Sequence, residues 1–251
     1  MKILLTICLL LFATFSVGHA QRRANRHAAL TRAEIRVAER RLRELGYWTG
    51  QVDGVLDTAS QSALIAFQKW EGRTVDGRLT RTELEAIRNG ESPKARDAGY
   101  EHVEVDVERQ VLLLIDQHGD VRVLPVSTGS GKAFISDGQT SIAYTPRGRF
   151  VVYDKTFGWE DGAPGSVYYA NYISGGVAIH GYESVPTRPA SHGCIRIPMF
   201  AAREVSRLLP LGTIVLVYDK ASFVSAKEWA ENPKLKEAAM QNAAARDYTN
   251  Q

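Results

Sequence analysis

Three short signatures in close succession, Thr31-x-x-Glu34, Thr58-x-x-Gln61 and Thr80-x-x-Glu83, constrain the first part of this chain more than any other feature. Each pairs a hydroxyl with a carboxylate or amide three residues on, the arrangement that satisfies free N–H groups at a helix start. Behind the first, Ile35, Ala38, Leu42 and Leu45 recur at helical spacing, and Gly46 supplies a stop. Ala63, Leu64 and Phe67 follow the second signature, and Leu84 and Ile87 the third. The leads into the later two helices echo each other, as Val52-Asp53-Gly54-Val55-Leu56 and Val75-Asp76-Gly77-Arg78-Leu79. Asp-Gly favours a tight turn, because glycine accepts positive φ and Asp bonds the local backbone. Residues 30–90 are therefore expected to form a small three-helix bundle. About 60 residues make a thin core, so packing against the rest of the chain is expected to help.

Residues 91–100, overlapping the polar stretch Asn89 to Gly99, read as a linker. Beyond it the apolar period changes. Val111 to Ile115 is a compact apolar run, Gln117 to Asp120 a turn, and Val121, Val123 and Val126 alternate with other residues. Phe150 to Tyr153, Val177 to Ile179 and Thr213 to Tyr218 also read as strands. Between Met199 and Leu209 the spacing is helical, with Pro198 suited to the first turn. Asp161 to Ser174, rich in Gly, Tyr and Asn, reads as a flap. The expected fold class is α+β in two domains, the helical bundle followed by a mainly-β, sandwich-like domain over 101–219. Residues 220–251 form a tail rich in Ala, Lys and Asn.

The N-terminus sets the compartment. Met1-Lys2 gives a short positive start, Ile3 to Val17 is mostly apolar, and Gly18-His19-Ala20 suits cleavage after Ala20. Residues 1–20 thus have the layout of a secretory signal peptide. The apolar run of about 15 residues falls short of the ~20 that a bilayer span needs. The mature chain is expected outside the cytoplasm, in a periplasm or cell wall, with no integral membrane span. A formal net charge of +3 is nearly balanced and gives no sign of a nucleic-acid partner.

Of the two cysteines, Cys8 leaves with the signal and Cys194 remains without an intramolecular partner. In an oxidising compartment that means an intermolecular disulfide or a free, often reactive, thiol; a buried inert cysteine is the plainer alternative. The neighbours favour chemistry. A thiol is mainly protonated near neutrality and needs a base. His180 ends the apolar run Val177 to Ile179, where a strand holds its ring rigidly, and is the better base. His192 is too close along the chain to approach the sulfur easily, and suits shaping the loop and holding substrate. Gly193 lets the backbone turn tightly, so that the N–H groups of Gly193 and Cys194 face a developing oxyanion. Arg196, two residues past the cysteine, shares its face if the chain is extended, binds a substrate carboxylate and favours the thiolate.

His180-Gly181 followed by Ser191-His192-Gly193-Cys194-Ile195-Arg196 resembles the motif of the L,D-transpeptidase catalytic domain of the YkuD family. The resemblance runs from about Val103 to Asp219 and takes in TPRGRF, Thr145 to Phe150, and GGVAIHG, Gly175 to Gly181. It implies Cys194 as nucleophile, His180 as general base and acid, and the Gly181 carbonyl as the group orienting the ring, with Ser191, His192 and Arg196 binding substrate. Two departures bear on substrate positioning: the insert between His180 and Ser191 is compact, and Arg196 stands where some members have Asn. Leu42 to Gly72 and Val75 to Leu84 resemble a peptidoglycan-binding domain of the PGB1 type. This implies a module for glycan or stem peptide, with Tyr47 and Trp48 placed to stack on sugar and Phe67 in the core. The implied reaction passes from a tetrapeptide stem through a Cys194 thioester to the amine of another stem, giving a third-residue cross-link without metal or cofactor and with sensitivity to carbapenems.

Three alternatives stand beside this reading. The thioester passes to water in an L,D-carboxypeptidase. A zinc hydrolase would use His180, His192 and Cys194 as ligands. A non-catalytic wall-binding protein would need the helical domain alone.

Overall fold

The computed structural model of the chain describes residues 29–136, 138–162, 165–222 and 231. The signal peptide expected at 1–20, with Cys8, and most of the tail expected at 220–251 lie outside the described residues.

Three helices come first: α1 Arg32–Glu44, α2 Thr58–Trp70 and α3 Arg81–Asn89. Thr31 forms a full capping box on α1. Its hydroxyl accepts from the Glu34 N–H at 3.3 Å, and its own N–H donates to the Glu34 carboxylate at 2.8 Å. The second signature is displaced by one residue. Asp57 caps α2, taking the Ser60 N–H at 2.7 Å, and Thr58 is the first helical residue. A full negative charge at the positive end of the helix prevails over a hydroxyl one step later. Thr80 caps α3, but the Glu83 carboxylate turns away to Arg73 at 2.9 Å. The echoed turns share one device. Gly54 and Gly77 both take positive φ, and their N–H groups donate to buried side chains, Glu39 at 2.8 Å and Gln68 at 2.9 Å.

The strands are β1 His102–Asp106, β2 Val111–Ile115, β3 Val121–Pro125, β4 Ala133–Ser136, β5 Gln139–Ile142, β6 Gly148–Val151, β7 Asp154–Lys155, β8 Trp159–Glu160, β9 Val167–Ser174, β10 Val177–Tyr182, β11 Ile195–Pro198 and β12 Ile214–Tyr218, with α4 Met199–Leu208 before the last. One sheet has the order β3-β2-β1-β12-β6, in which β1 and β12 are parallel. A second has the order β11-β10-β9-β7, with β8 also on β9; β4 and β5 form a separate hairpin. Two helical and mainly-β parts thus follow each other as expected. Most of the stretch expected as a flap is the long strand β9. Its Tyr-rich sequence suits a sheet, and it is paired along both edges.

Strand β2 explains how the parts hold together. All five of its residues are buried. Leu112 and Leu114 face one core with Val103, Ile179, Ile195 and Val205. Val111, Leu113 and Ile115 face the other, with Leu42, Phe67, Leu84 and Ile87 of the helices. Alternation along a strand sends neighbours to opposite sides, so a sheet covered on both faces is apolar throughout. The thin helical core is thereby completed by the sheet. The backbone adds to it: the Trp48 N–H donates to the Val123 carbonyl at 3.0 Å, and the Val123 N–H to that of Gly46 at 2.9 Å. Lys69 of α2 is buried in this junction and donates to the carbonyls of Gln110 and Val126 at 3.1 and 2.8 Å.

Candidate active site

The register of the second sheet places the motif residues. In the parallel pair β10–β11, Ile179 is level with Ile195 and His180 with Arg196. Ile179, Ile195 and Ile197 all enter the core. The alternate positions, His180 and Arg196, therefore share the opposite face, and Cys194, one step before β11, falls level with Ala178 on that face. One strand across and two residues along puts the Cα atoms of Cys194 and His180 about 8 Å apart, within reach of paired side chains.

His180 is 3% exposed, and its Nδ1 donates to the Gly181 carbonyl at 2.9 Å. That bond fixes the tautomer and leaves Nε2 as the acceptor. Burial drives the pKa of the ring down to about 4; the Gly181 bond opposes this, and the charge of Arg196 adds to it. Cys194 is free and half-buried, and its thiol lies 3.5 Å from the Gly176 carbonyl as a donor. Burial lifts its pKa, against the Ala178 N–H and the Arg196 charge, which lower it. The resting pair is thus a neutral thiol and a neutral imidazole. The Arg196 charge favours the thiolate, but burial outweighs it.

The loop before β11 is bonded throughout. Ala190 and Ser191 both donate their N–H to the Thr128 carbonyl at 2.9 Å. The Ser191 hydroxyl donates to the Cys194 carbonyl at 2.6 Å and accepts from the Gly193 N–H at 3.1 Å. The Gly193 N–H, expected to face an oxyanion, is therefore engaged by Ser191 in this state. Gly193 itself has φ +152°, and a Cβ there would lie 3.0 Å from the Tyr144 carbonyl. Its own carbonyl accepts from the buried Thr145 hydroxyl at 2.6 Å, and the Thr145 hydroxyl oxygen in turn accepts from the Gly129 N–H at 2.8 Å. Thr145 thus clamps the loop before β11 to the strand-rich body. Arg196 lies over the Tyr182 ring at 4.0 Å. His192 is exposed and stacks on Phe134 of the β4–β5 hairpin, with ring centres 4.6 Å apart. Among the described residues, no three His, Cys, Asp or Glu side chains gather as a metal site, so His180, His192 and Cys194 do not make the ligand set of a zinc hydrolase.

In the helical part, Tyr47 is 1% exposed and meets Phe67 edge-on at 5.6 Å, so it is a core residue and cannot stack on sugar. Trp48 is half-buried, with the Arg122 guanidinium over its ring at 5.5 Å.

Residues 100–217 match the YkuD family, the L,D-transpeptidase catalytic domain, and residues 31–87 match a peptidoglycan binding domain. A crystal structure of an L,D-transpeptidase from Xylanimonas cellulosilytica is 37% identical over 74% of this chain and 93% of that one, with a TM-score of 0.70. The chain belongs to the L,D-transpeptidase family. An L,D-transpeptidase from Stackebrandtia nassauensis is 19% identical over 73% of this chain and 89% of that one, at a TM-score of 0.44. One from Enterococcus faecium is 27% identical over 47% and 50%, at 0.39. No curated protein matches the chain. In this L,D-transpeptidase His180 and Arg196 lie on the face opposite the core that takes in Ile179 and Ile195. The peptidoglycan-binding helices cover the far side of β2 and β3. Among the described residues no helix is long and apolar enough to cross a membrane.

Proposed function

We propose that the chain is an exported acyltransferase that cross-links peptidoglycan stems through a thioester on Cys194. The observation that carries this is the register of β10 and β11. It supports the reading because Cys194, a free thiol, stands one step before the strand that pairs with the strand of His180, whose buried ring donates from Nδ1 to the Gly181 carbonyl.

Cys194 Sγ attacks the carbonyl of the third residue of a tetrapeptide stem, and its proton passes to His180 Nε2. The carbon–nitrogen bond to the terminal D-Ala then breaks, and that amine leaves with the proton. A neutral amine from the third residue of a second stem attacks the thioester. Its surplus proton goes to His180 and returns to the departing sulfur. Because the resting pair is neutral, proton transfer accompanies the attack rather than preceding it. The Cys194 N–H, joined by that of Gly193 once Ser191 releases it, faces the oxyanion. Arg196, His192 and Ser191 position substrate. The peptidoglycan-binding helices hold the wall, and residues 1–20 direct export to the periplasm or cell wall.

Intact-mass spectrometry after carbapenem exposure tests the nucleophile. A single adduct on the wild type, absent from Cys194→Ala, is expected; no adduct on either would leave a wall-binding protein without activity. Purified muropeptides test the acceptor. Third-residue dimers are expected, whereas tripeptide alone at high donor concentration would identify an L,D-carboxypeptidase.

A further inference from the structure

The row through Cys194 continues across the second sheet. Cys194 is level with Ala178, and Ala178 pairs directly with Tyr172 of β9. Residues in register project to one side, so thiol, methyl and phenol share a face, and the methyl is too short to part the other two. The Tyr172 hydroxyl donates to the Glu160 carboxylate at 2.8 Å. Tyr172 is half-buried and Glu160 exposed. Among the described residues no Lys or Arg forms an ion pair with Glu160; the nearby Lys155 is spent on the carbonyls of Ser206 and Leu209. Burial raises the Tyr172 pKa first, Glu160 raises it further, and a charge on the Cys194 sulfur adds to this, so phenol and sulfur are within electrostatic reach.

The site is thus polarised, with Arg196 beside Cys194 on one side and an unneutralised carboxylate on the other. Two strand spacings, about 10 Å, separate the Cys194 and Tyr172 backbones. An acyl group on the sulfur whose side chain reaches about 6 Å to a terminal nitrogen covers that gap. We propose that Glu160, positioned by Tyr172, binds the side-chain ammonium of the third residue of the acyl donor, so that the site selects stems with a diamino acid at that place. This rests on the thioester reading above and adds its donor specificity. Glu160 is a binding group here and takes no proton.

The test compares two tetrapeptide donors ending in D-Ala, one with lysine third and the other with Nε-acetyl-lysine, by the kcat/KM of D-Ala release. The wild type is expected to prefer the free amine about fivefold, as a partly solvated ion pair gives, and to lose the preference in high salt. Glu160→Gln should bring the ratio to about one, and Tyr172→Phe should lower it part-way. The readout is a ratio within each variant, so a general loss of activity does not imitate it. A carbapenem adduct on each variant confirms a live thiol. Equal preference in wild type and Glu160→Gln, or none in the wild type, overturns the assignment while leaving the thioester intact. Absence of both adduct and D-Ala release in the wild type overturns the thioester reading, and this assignment with it.

Discussion

His180 and Arg196 are register partners on adjacent parallel strands, and the cation of one helps to keep the ring of the other unprotonated. The rate of Cys194 acylation should therefore fall on the acid side only near pH 4, where the buried ring gains its proton. Arg196→Ala removes a charge that lowers both the His180 and the Cys194 pKa. Its acid limb is expected to move to higher pH, and the thiol to ionise at still higher pH. A pH–rate profile for carbapenem acylation, followed by mass, measures the first shift, and an unmoved limb refutes the coupling.

His180 also makes stability depend on pH. Its folded pKa of about 4 lies below the ordinary value of 6.5. Between those values the unfolded chain takes up a proton that the folded chain refuses, so stability falls as pH drops from 6.5 toward 4. The loss is on the order of 3 kcal/mol. Urea denaturation at several pH values should show this slope in the wild type and a flatter one in His180→Gln.

Thr145 holds the loop that carries Cys194 through two hydrogen bonds. Thr145→Val keeps the shape but leaves the Gly129 N–H and the Gly193 carbonyl without that partner. A loss of about 1–3 kcal/mol is expected, with slower acylation because the Cys194 backbone is released. Thr145→Ser should retain most of both. Melting temperature and adduct formation read the two effects separately.

Among the described residues Lys69 has no carboxylate partner in the junction, and burial lowers its pKa from 10.5 to about 7. Between those values the unfolded chain holds the proton more tightly, so the wild type should gain stability as pH rises from 7 toward 10.5. Lys69→Met should abolish that gain and cost about 1–3 kcal/mol at pH 7, since two buried carbonyls lose their donor. Thermal melts at pH 7 and pH 9 decide it.

Tyr47 carries a buried hydroxyl that, among the described residues, has no hydrogen-bond partner. Tyr47→Phe should be neutral or stabilising, by up to about 2 kcal/mol, and should leave wall binding intact. A lower melting temperature, or lost binding in a sedimentation assay with purified peptidoglycan, contradicts the core role.

The elements legible in the sequence were those whose pattern is local. The apolar run at Val111 to Ile115 is β2, and Pro198 does stand at the start of a helix. The flap expectation missed β9 because Gly and Asn flank its tyrosines, and the partners that make it a strand come from elsewhere in the chain. Thr58 and Asp57 both offer a cap, and only the folded geometry chooses. At the site, Cys194, His180 and Arg196 stood out through one motif. Phe134 and Tyr172 did not, since they reach the motif through a hairpin and a sheet row with no pattern in sequence. The hold of Ser191 on the Gly193 N–H was equally hidden.

Strand β2 gives one face to the catalytic half and the other to the helices. A cut between the halves would bare the outer side of Val111, Leu113 and Ile115, a sticky stripe in water. The binder is thus no pendant on a tether. On the function proposed above, the helices would grip the wall and carry the sulfur at a set offset, as a fixed-span gauge.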